Sequence, residues 1–173
     1  MRIALSICAL LALAATVGCG AGKTTTTSTT VTTSDDDKST TVTSAGGSTT
    51  VGVNAVDASK LGAPVYPGAT QAEGAGAVSF TTAAETNNTA NFMSSDAFET
   101  VYDYYKGQLP AGSEKMKISS GDSQLARFQI GDENSKDVVS VLLASKDGKT
   151  EITISHVTKT DAAMASAAPS TAP

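Results

Sequence analysis

The chain has 173 residues, with 12 Lys plus Arg against 17 Asp plus Glu and a formal net charge of −5. A chain this acidic, whose densest basic spacing is Lys115 and Lys117, repels phosphate backbones, which excludes sequence-independent nucleic-acid binding and reads the acidity as solubility. Two cysteines, Cys8 and Cys19, offer no disulfide framework, and because every aromatic lies between Tyr66 and Phe128 the folded domain is expected at residues 61–158.

In chain order, Arg2 supplies a positive start and Ile3 to Val17 is an uncharged Ala- and Leu-rich run, ended by Gly18-Cys19-Gly20. That is the pattern of a secretory signal over residues 1–18, and it falls short of the about 20 residues that span a bilayer. The run Ala15-Thr16-Val17-Gly18-Cys19 resembles the lipobox of bacterial lipoproteins, with Thr16 where Leu is usual. The resemblance implies cleavage before Cys19, a diacylglyceryl group on its sulfur and often a further acyl chain (commonly palmitate) on the new amino terminus. It also implies export to the cell envelope and anchoring to a bacterial membrane. In a two-membrane cell this is the periplasmic side of the outer membrane, since Gly20 replaces the Asp of inner-membrane retention. One buried chain holds marginally at about 0.8 kcal/mol per CH₂, and two hold stably. An ordinary signal cut after Ala12-Leu13-Ala14, releasing a soluble protein with a free thiol, is the alternative. The stretch Gly18 to Thr24 imitates a phosphate loop but is one residue short and would be split by cleavage.

Residues 19–60 read as a disordered tether. Eight Thr fall within 24–33, followed by Asp35-Asp36-Asp37 and Gly46-Gly47, with nothing large to bury. The three consecutive aspartates lack the alternate spacing of a calcium loop. Residues 159–173, rich in Ala, Ser and Pro, read as a disordered tail.

Within the domain, Val78-Ser79-Phe80 and Ala90-Asn91-Phe92 read as short strands. Phe98, Val101, Tyr102, Tyr105 and Leu109 then recur at helical spacing, with Asp96 and Glu99 as a capping-box-like start and Pro110 as the stop. Met116 to Ser119, Leu125 to Ile130, Val138 to Ser145 and Glu151 to Val157 read as strands, the last two joined by Asp147-Gly148, a hairpin signal. The expectation is an α+β fold: a small antiparallel sheet in the order ββαββββ, one face covered by the amphipathic helix. Phe128, Ile130, Val139, Val141, Leu143, Ile152 and Ile154 should point inward, Arg127 and Gln129 outward.

The segments Pro64-Val65-Tyr66-Pro67-Gly68-Ala69, Ser94 to Tyr105 and Leu109-Pro110 resemble a recurring, uncharacterised domain of bacterial envelope proteins with a P-x-Y-P-G-A and F-x-x-V-x-x-F-Y pattern. That resemblance implies the fold and no catalytic residue. Pro67-Gly68 suits a type II turn that aims Tyr66 at the sheet, a packing role first. His156, the lone histidine, lacks a second ligand or an evident nucleophile, and Asp132-Glu133 sit in a polar turn. No catalytic, cofactor-binding or metal residue is therefore expected. Tyr104, opposite Phe98 on the helix, should be exposed, and with Tyr66 it is the candidate partner contact. The reading is a noncatalytic, membrane-anchored extracytoplasmic lipoprotein that acts as an interaction or structural module of the envelope, with the bilayer at Cys19 and an envelope protein as partners. The alternative is a module that binds a small or apolar ligand between helix and sheet, which needs a cavity among Phe98, Tyr105 and Phe128.

Overall fold

Period-two alternation of Thr, Val and Ser pervades the chain, and strands follow it almost everywhere. The computed structural model describes residues 28–34, 39–52, 55–72, 76–121, 123–132 and 134–166. The signal at 1–18, Cys19, the Asp35-Asp36-Asp37 run, Asp122, Glu133 and residues 167–173 lie outside the described residues. The first strands are β1 (Thr30–Ser34), β2 (Ser39–Ser44) and β3 (Gly47–Gly52). A 3-10 turn at Ala58–Lys60 follows, then β4 (Thr70–Gln71), β5 (Ala77–Thr81) and β6 (Glu85–Ser94). Helix α1 (Phe98–Gln108) leads to β7 (Glu114–Ser120), β8 (Ser123–Ile130), β9 (Asp137–Lys146), β10 (Lys149–Lys159) and a short α2 (Asp161–Ser166). All pairings are antiparallel, in the order β1-β2-β3-β5-β6-β10-β9-β8-β7, with β4 beside β6.

This corrects the α+β expectation. Ten strands and a single helix longer than six residues make the described chain essentially all-β. Two physical causes lie behind the difference. The strands run past their apolar residues, because Ser, Thr and Asn between them keep the pleat: β6 extends from Glu85 to Ser94 around Ala90-Asn91-Phe92. Where the tether was expected, the described residues of 30–52 form β1, β2 and β3. Thr is β-branched and favours extended backbone, so a segment without a core can still prolong an existing sheet. The tail expectation changes in part as well, since Asp161–Ser166 is helical.

The core lies between α1 and one face of the sheet. Phe98, Val101, Tyr102 and Tyr105 of the helix meet Phe92, Ala126, Phe128, Val139, Val141, Leu143, Ile152 and Ile154, all buried. Burial of each large side chain contributes about 1.5–3 kcal/mol. Ile130, expected inward, is only partly buried. The helix stops where Leu109, extended ahead of Pro110, donates its N–H to the Tyr105 carbonyl at 2.9 Å. The expected cap at its start is absent: Ala97 is the N-cap and makes no side-chain bond. Asp96 is engaged elsewhere, by Tyr66. Asp147 and Gly148 both take positive φ, 51° and 72°, as a type I′ hairpin turn requires.

Candidate functional site

Three places carry the side chains that sequence reasoning singled out, and the first is the tyrosine cluster. The Ala69 N–H bonds the Tyr66 carbonyl at 3.0 Å and Gly68 has φ of 82°, so Pro67-Gly68 forms the expected turn. It delivers Tyr66 onto the helix rather than the sheet. The Tyr66 hydroxyl donates to Asp96 Oδ2 at 2.6 Å, and its ring meets Tyr104 edge-on with centroids 5.1 Å apart. Tyr104 in turn lies edge-on to Tyr105 at 5.2 Å. Tyr104 is therefore half-buried, not the free anchor expected, and Tyr66 is buried. The hydrogen bond to Asp96 raises the Tyr66 phenol above its ordinary value, with burial adding to it. Burial pushes Tyr105 up further, while its hydroxyl donates to the Pro64 carbonyl at 3.1 Å. These groups hold the segment around Tyr66 to the helix and present no reactive atom.

The second place is His156. Its Nδ1 lies 2.8 Å from the Lys60 carbonyl, which can only accept, so Nδ1 carries a proton. Nε2 lies 3.4 Å from Asp137 Oδ1, and the Thr158 hydroxyl donates to that same oxygen at 2.9 Å. A hydroxyl committed to a carboxylate is not poised for deprotonation by the ring. A Cβ at Gly62 would meet Val139 Cγ2 at 2.6 Å and His156 Nδ1 at 3.2 Å, so the chain after the 3-10 turn fits closely over this imidazole. The geometry is that of a clip between Lys60 and β10.

Third is the helix–sheet interface, where a ligand would sit on the alternative reading. It is filled by rings: Tyr102 and Tyr105 lie 5.6 and 6.4 Å from Phe128, and Phe98 stacks on Tyr102 at 6.3 Å. Two clefts of the surface lie elsewhere. One of about 400 Å³ is lined by Val56, Asp57, Ala58, Gln71 and Phe92, and another of about 340 Å³ lies between Pro110–Lys115 and Gln129–Asp132. Among the described residues no group of three His, Cys, Asp or Glu could hold a metal ion, and no helix is long and apolar enough to cross a membrane. Cys19, the predicted lipidation site, lies outside the described residues.

What the sequence reading missed is the uncovered face of the sheet. The four large exposed apolar side chains among the described residues are Val31, Val42, Phe80 and Ile118, at 63, 41, 40 and 50% exposure. The strand registers put all four on the side away from α1. Val31 pairs Val42, Val42 pairs Thr49, Thr49 pairs Phe80, Phe80 pairs Asn87, Asn87 pairs Val157 and Val157 pairs Val138, forming one cross-strand row. Beside it Ser155 donates to Asn87 Oδ1 at 3.2 Å, Thr89 bonds Ser155 at 3.1 Å and Thr153 donates to Asn91 Oδ1 at 2.8 Å, so this face's polar groups are paired with one another. A signal for it existed: Thr-Thr-Val recurs at 29–31, 40–42 and 49–51. No family model, no curated protein and no solved structure matches the chain.

Proposed function

We propose that this chain is an exported lipoprotein, held to a bacterial membrane by acyl chains on Cys19, whose sheet serves as a noncatalytic contact surface within the cell envelope. The observation that carries the contact role is the uncovered sheet face with its cross-strand apolar row. Monomeric surfaces usually scatter their exposed apolar residues singly; here Val31 and Val42 are adjacent and Phe80 follows beyond Thr49, a grouping that marks an interaction site. Support for the anchor is the placement of Cys19 directly after Gly18 at the end of the apolar run. The ligand-binding alternative requires space among Phe98, Tyr105 and Phe128, where rings pack against one another.

Intact mass of the membrane-extracted chain, compared with Cys19→Ser, tests the anchor. The expected wild-type result is a mature chain beginning at Cys19 with diacylglyceryl and acyl mass, and a Cys19→Ser chain without it. An unmodified thiol on a chain found in the soluble fraction would overturn the proposal. Crosslinking followed by co-purification tests the contact role: substitution of Ile118, on the same face, by Ser should remove the captured partner while leaving the lipid mass unchanged.

A further inference from the structure

We propose that the β1–β5 end of the uncovered face lies on the bilayer itself, with Val31, Val42 and Phe80 set into the interfacial zone of the lipid. The inference rests on the anchor at Cys19 and says where the protein sits once anchored.

Chain length is the first argument. Eleven residue steps separate Cys19 from Thr30, the start of β1. At no more than 3.6 Å per residue, the acylated sulfur lies within about 40 Å of the sheet. A tether reaching to residue 60 would have allowed more than three times that distance. The folded sheet is therefore confined to a zone within about 40 Å of the anchor, in reach of the membrane surface.

Position is the second. The chain arrives at Thr30, one residue before Val31, so the connection to the anchor enters at the end of the apolar row. Val31 and Val42 are direct cross-strand partners, and Phe80 stands two strands further along the same row. With strands about 4.8 Å apart, the three side chains span roughly 15 Å, a compact footing.

Charge is the third. Strands β1 to β5 contain no Asp, Glu, Lys or Arg on either face. The nearest charges in the sequence, Asp35-Asp36-Asp37-Lys38, fall between β1 and β2 and outside both strands, so the strand faces themselves meet the condition for entering the acyl boundary, freedom from unpaired charge. The face away from α1 carries the Val and Phe side chains, and the face towards it carries hydroxyls such as Thr41 and Thr50, paired at 2.8 Å. That difference selects the apolar face for the lipid. Further along the sheet, Glu85 and Lys159 stand opposite one another in register, at the margin of the row.

The chain contains no Trp, so a single introduced indole reports cleanly. The full lipidated Phe80→Trp chain, extracted from membranes, is reconstituted into phosphatidylethanolamine/phosphatidylglycerol vesicles, with and without bromine on the acyl chains near the headgroup. A blue-shifted emission and at least twofold quenching by the brominated vesicles are expected. Val31→Trp serves as a second reporter should the first perturb the sheet. Ile118→Trp on the same face should remain unquenched, because the sheet twists by about 20° per strand and five strand steps turn that edge away by about 100°. If the indoles of Phe80→Trp and Val31→Trp are both unquenched while the mass shows an acylated Cys19, the bilayer seat is overturned and the anchor stands. If emission depends on protein density in the vesicle rather than on bromine, a second copy covers the face and the inference is equally overturned. A chain without lipid mass overturns the anchor, and the seat with it.

Discussion

The sheet has two ends that share a hydrogen-bonding scheme and differ in what holds them. At one end β6, β8, β9 and β10 contribute side chains to the core beneath α1, and Ile152, Ile154, Leu143 and Val141 are almost fully buried. At the β1–β3 end no apolar side chain is buried, and Gly52 is the single buried position. The comparison teaches that strand pairing propagates beyond the core that nucleates it. Ladder hydrogen bonds contribute only about 0.5–1.5 kcal/mol net each, and cross-strand pairs such as Thr41–Thr50 about 0.2–1 kcal/mol. The largest contrast should therefore come from shortening side chains at the two ends. Ile152→Ala is expected to cost about 2–5 kcal/mol and Val42→Ala less than about 0.5 kcal/mol, read from urea midpoints. Equal losses would show that the two ends form one cooperative core. Amide exchange gives the same test without mutation: β1 and β2 should exchange orders of magnitude faster than β6 and β10.

The second contrast is in pH. Tyr105 is buried at the core end, and both it and Tyr66 hold their phenolic protons to higher pH than an unfolded chain does. Unfolded phenols ionise near pH 10. Below that pH both states keep the proton and stability is unaffected. Above it the unfolded chain releases a proton that the native protein retains, so stability falls as pH rises, by up to about 1.4 kcal/mol per pH unit for the deeply buried Tyr105. Urea midpoints measured between pH 9 and 11.5 should fall less steeply in Tyr105→Phe than in the wild type. Strands β1, β2 and β3 contain no ionisable side chain, so substitutions in them should leave the slope untouched. A slope unchanged by Tyr105→Phe would mean that the phenol is hydrated.

The same two ends differ in how legible they were. Helix α1 was readable to its last residue, because Phe98, Val101, Tyr102 and Tyr105 mark one face and Pro110 ends it. The inward set from Phe128 to Ile154, apart from the partly buried Ile130, followed from period-two alternation of large apolar residues. In contrast, β1–β3 were hidden because disorder was inferred from the lack of anything to bury, a rule that holds for an isolated segment and fails for one that can add to a preformed edge. The recurring Thr-Thr-Val triplet carried the missing information. Local pattern also misassigned Asp96: a capping box was expected from its spacing to Glu99, but Tyr66, 30 residues away, takes the carboxylate. Tyr104 was placed by a helical wheel that has no place for the turn at Pro67-Gly68 folding back over it. In both cases a long-range contact outweighed the local signal.

That contact sets the third prediction. Tyr66→Phe keeps the ring against Tyr104 and removes the hydroxyl's bond to Asp96, for an expected loss of about 1 kcal/mol. Tyr66→Ala removes the ring as well and should cost about 3 kcal/mol or more. If Tyr66→Phe is the costlier of the two, the hydrogen bond rather than the packing positions this segment, and the turn's sequence serves the bond.

The smallest expected effect concerns the two edge strands. On β7 the Lys117 ammonium sits 3.8 Å above the Tyr102 ring and 2.7 Å from Glu99 Oε2, and a bulge between Glu114 and Met116 breaks the register. Charges and bulges of this kind discourage a second sheet from pairing with an edge. On β1 the sequence Thr-Val-Thr-Thr-Ser carries neither charge nor bulge. Lys117→Met preserves the aliphatic stem and should cost only about 0.5–1 kcal/mol, because Glu99 is half exposed and its attraction is screened by water and salt. The loss should shrink at 1 M salt, where the Debye length is about 3 Å. Its larger consequence should be in solution behaviour, since a β7 edge that keeps only Glu114 and Lys115 at its start is closer to β1 and offers more of its backbone to a second chain. Light scattering of Lys117→Met against wild type at matched concentration checks this. Growth in apparent mass would show that charge guards this edge. An unchanged mass would assign the protection to the bulge and its neighbours Glu114 and Lys115, which the substitution leaves in place.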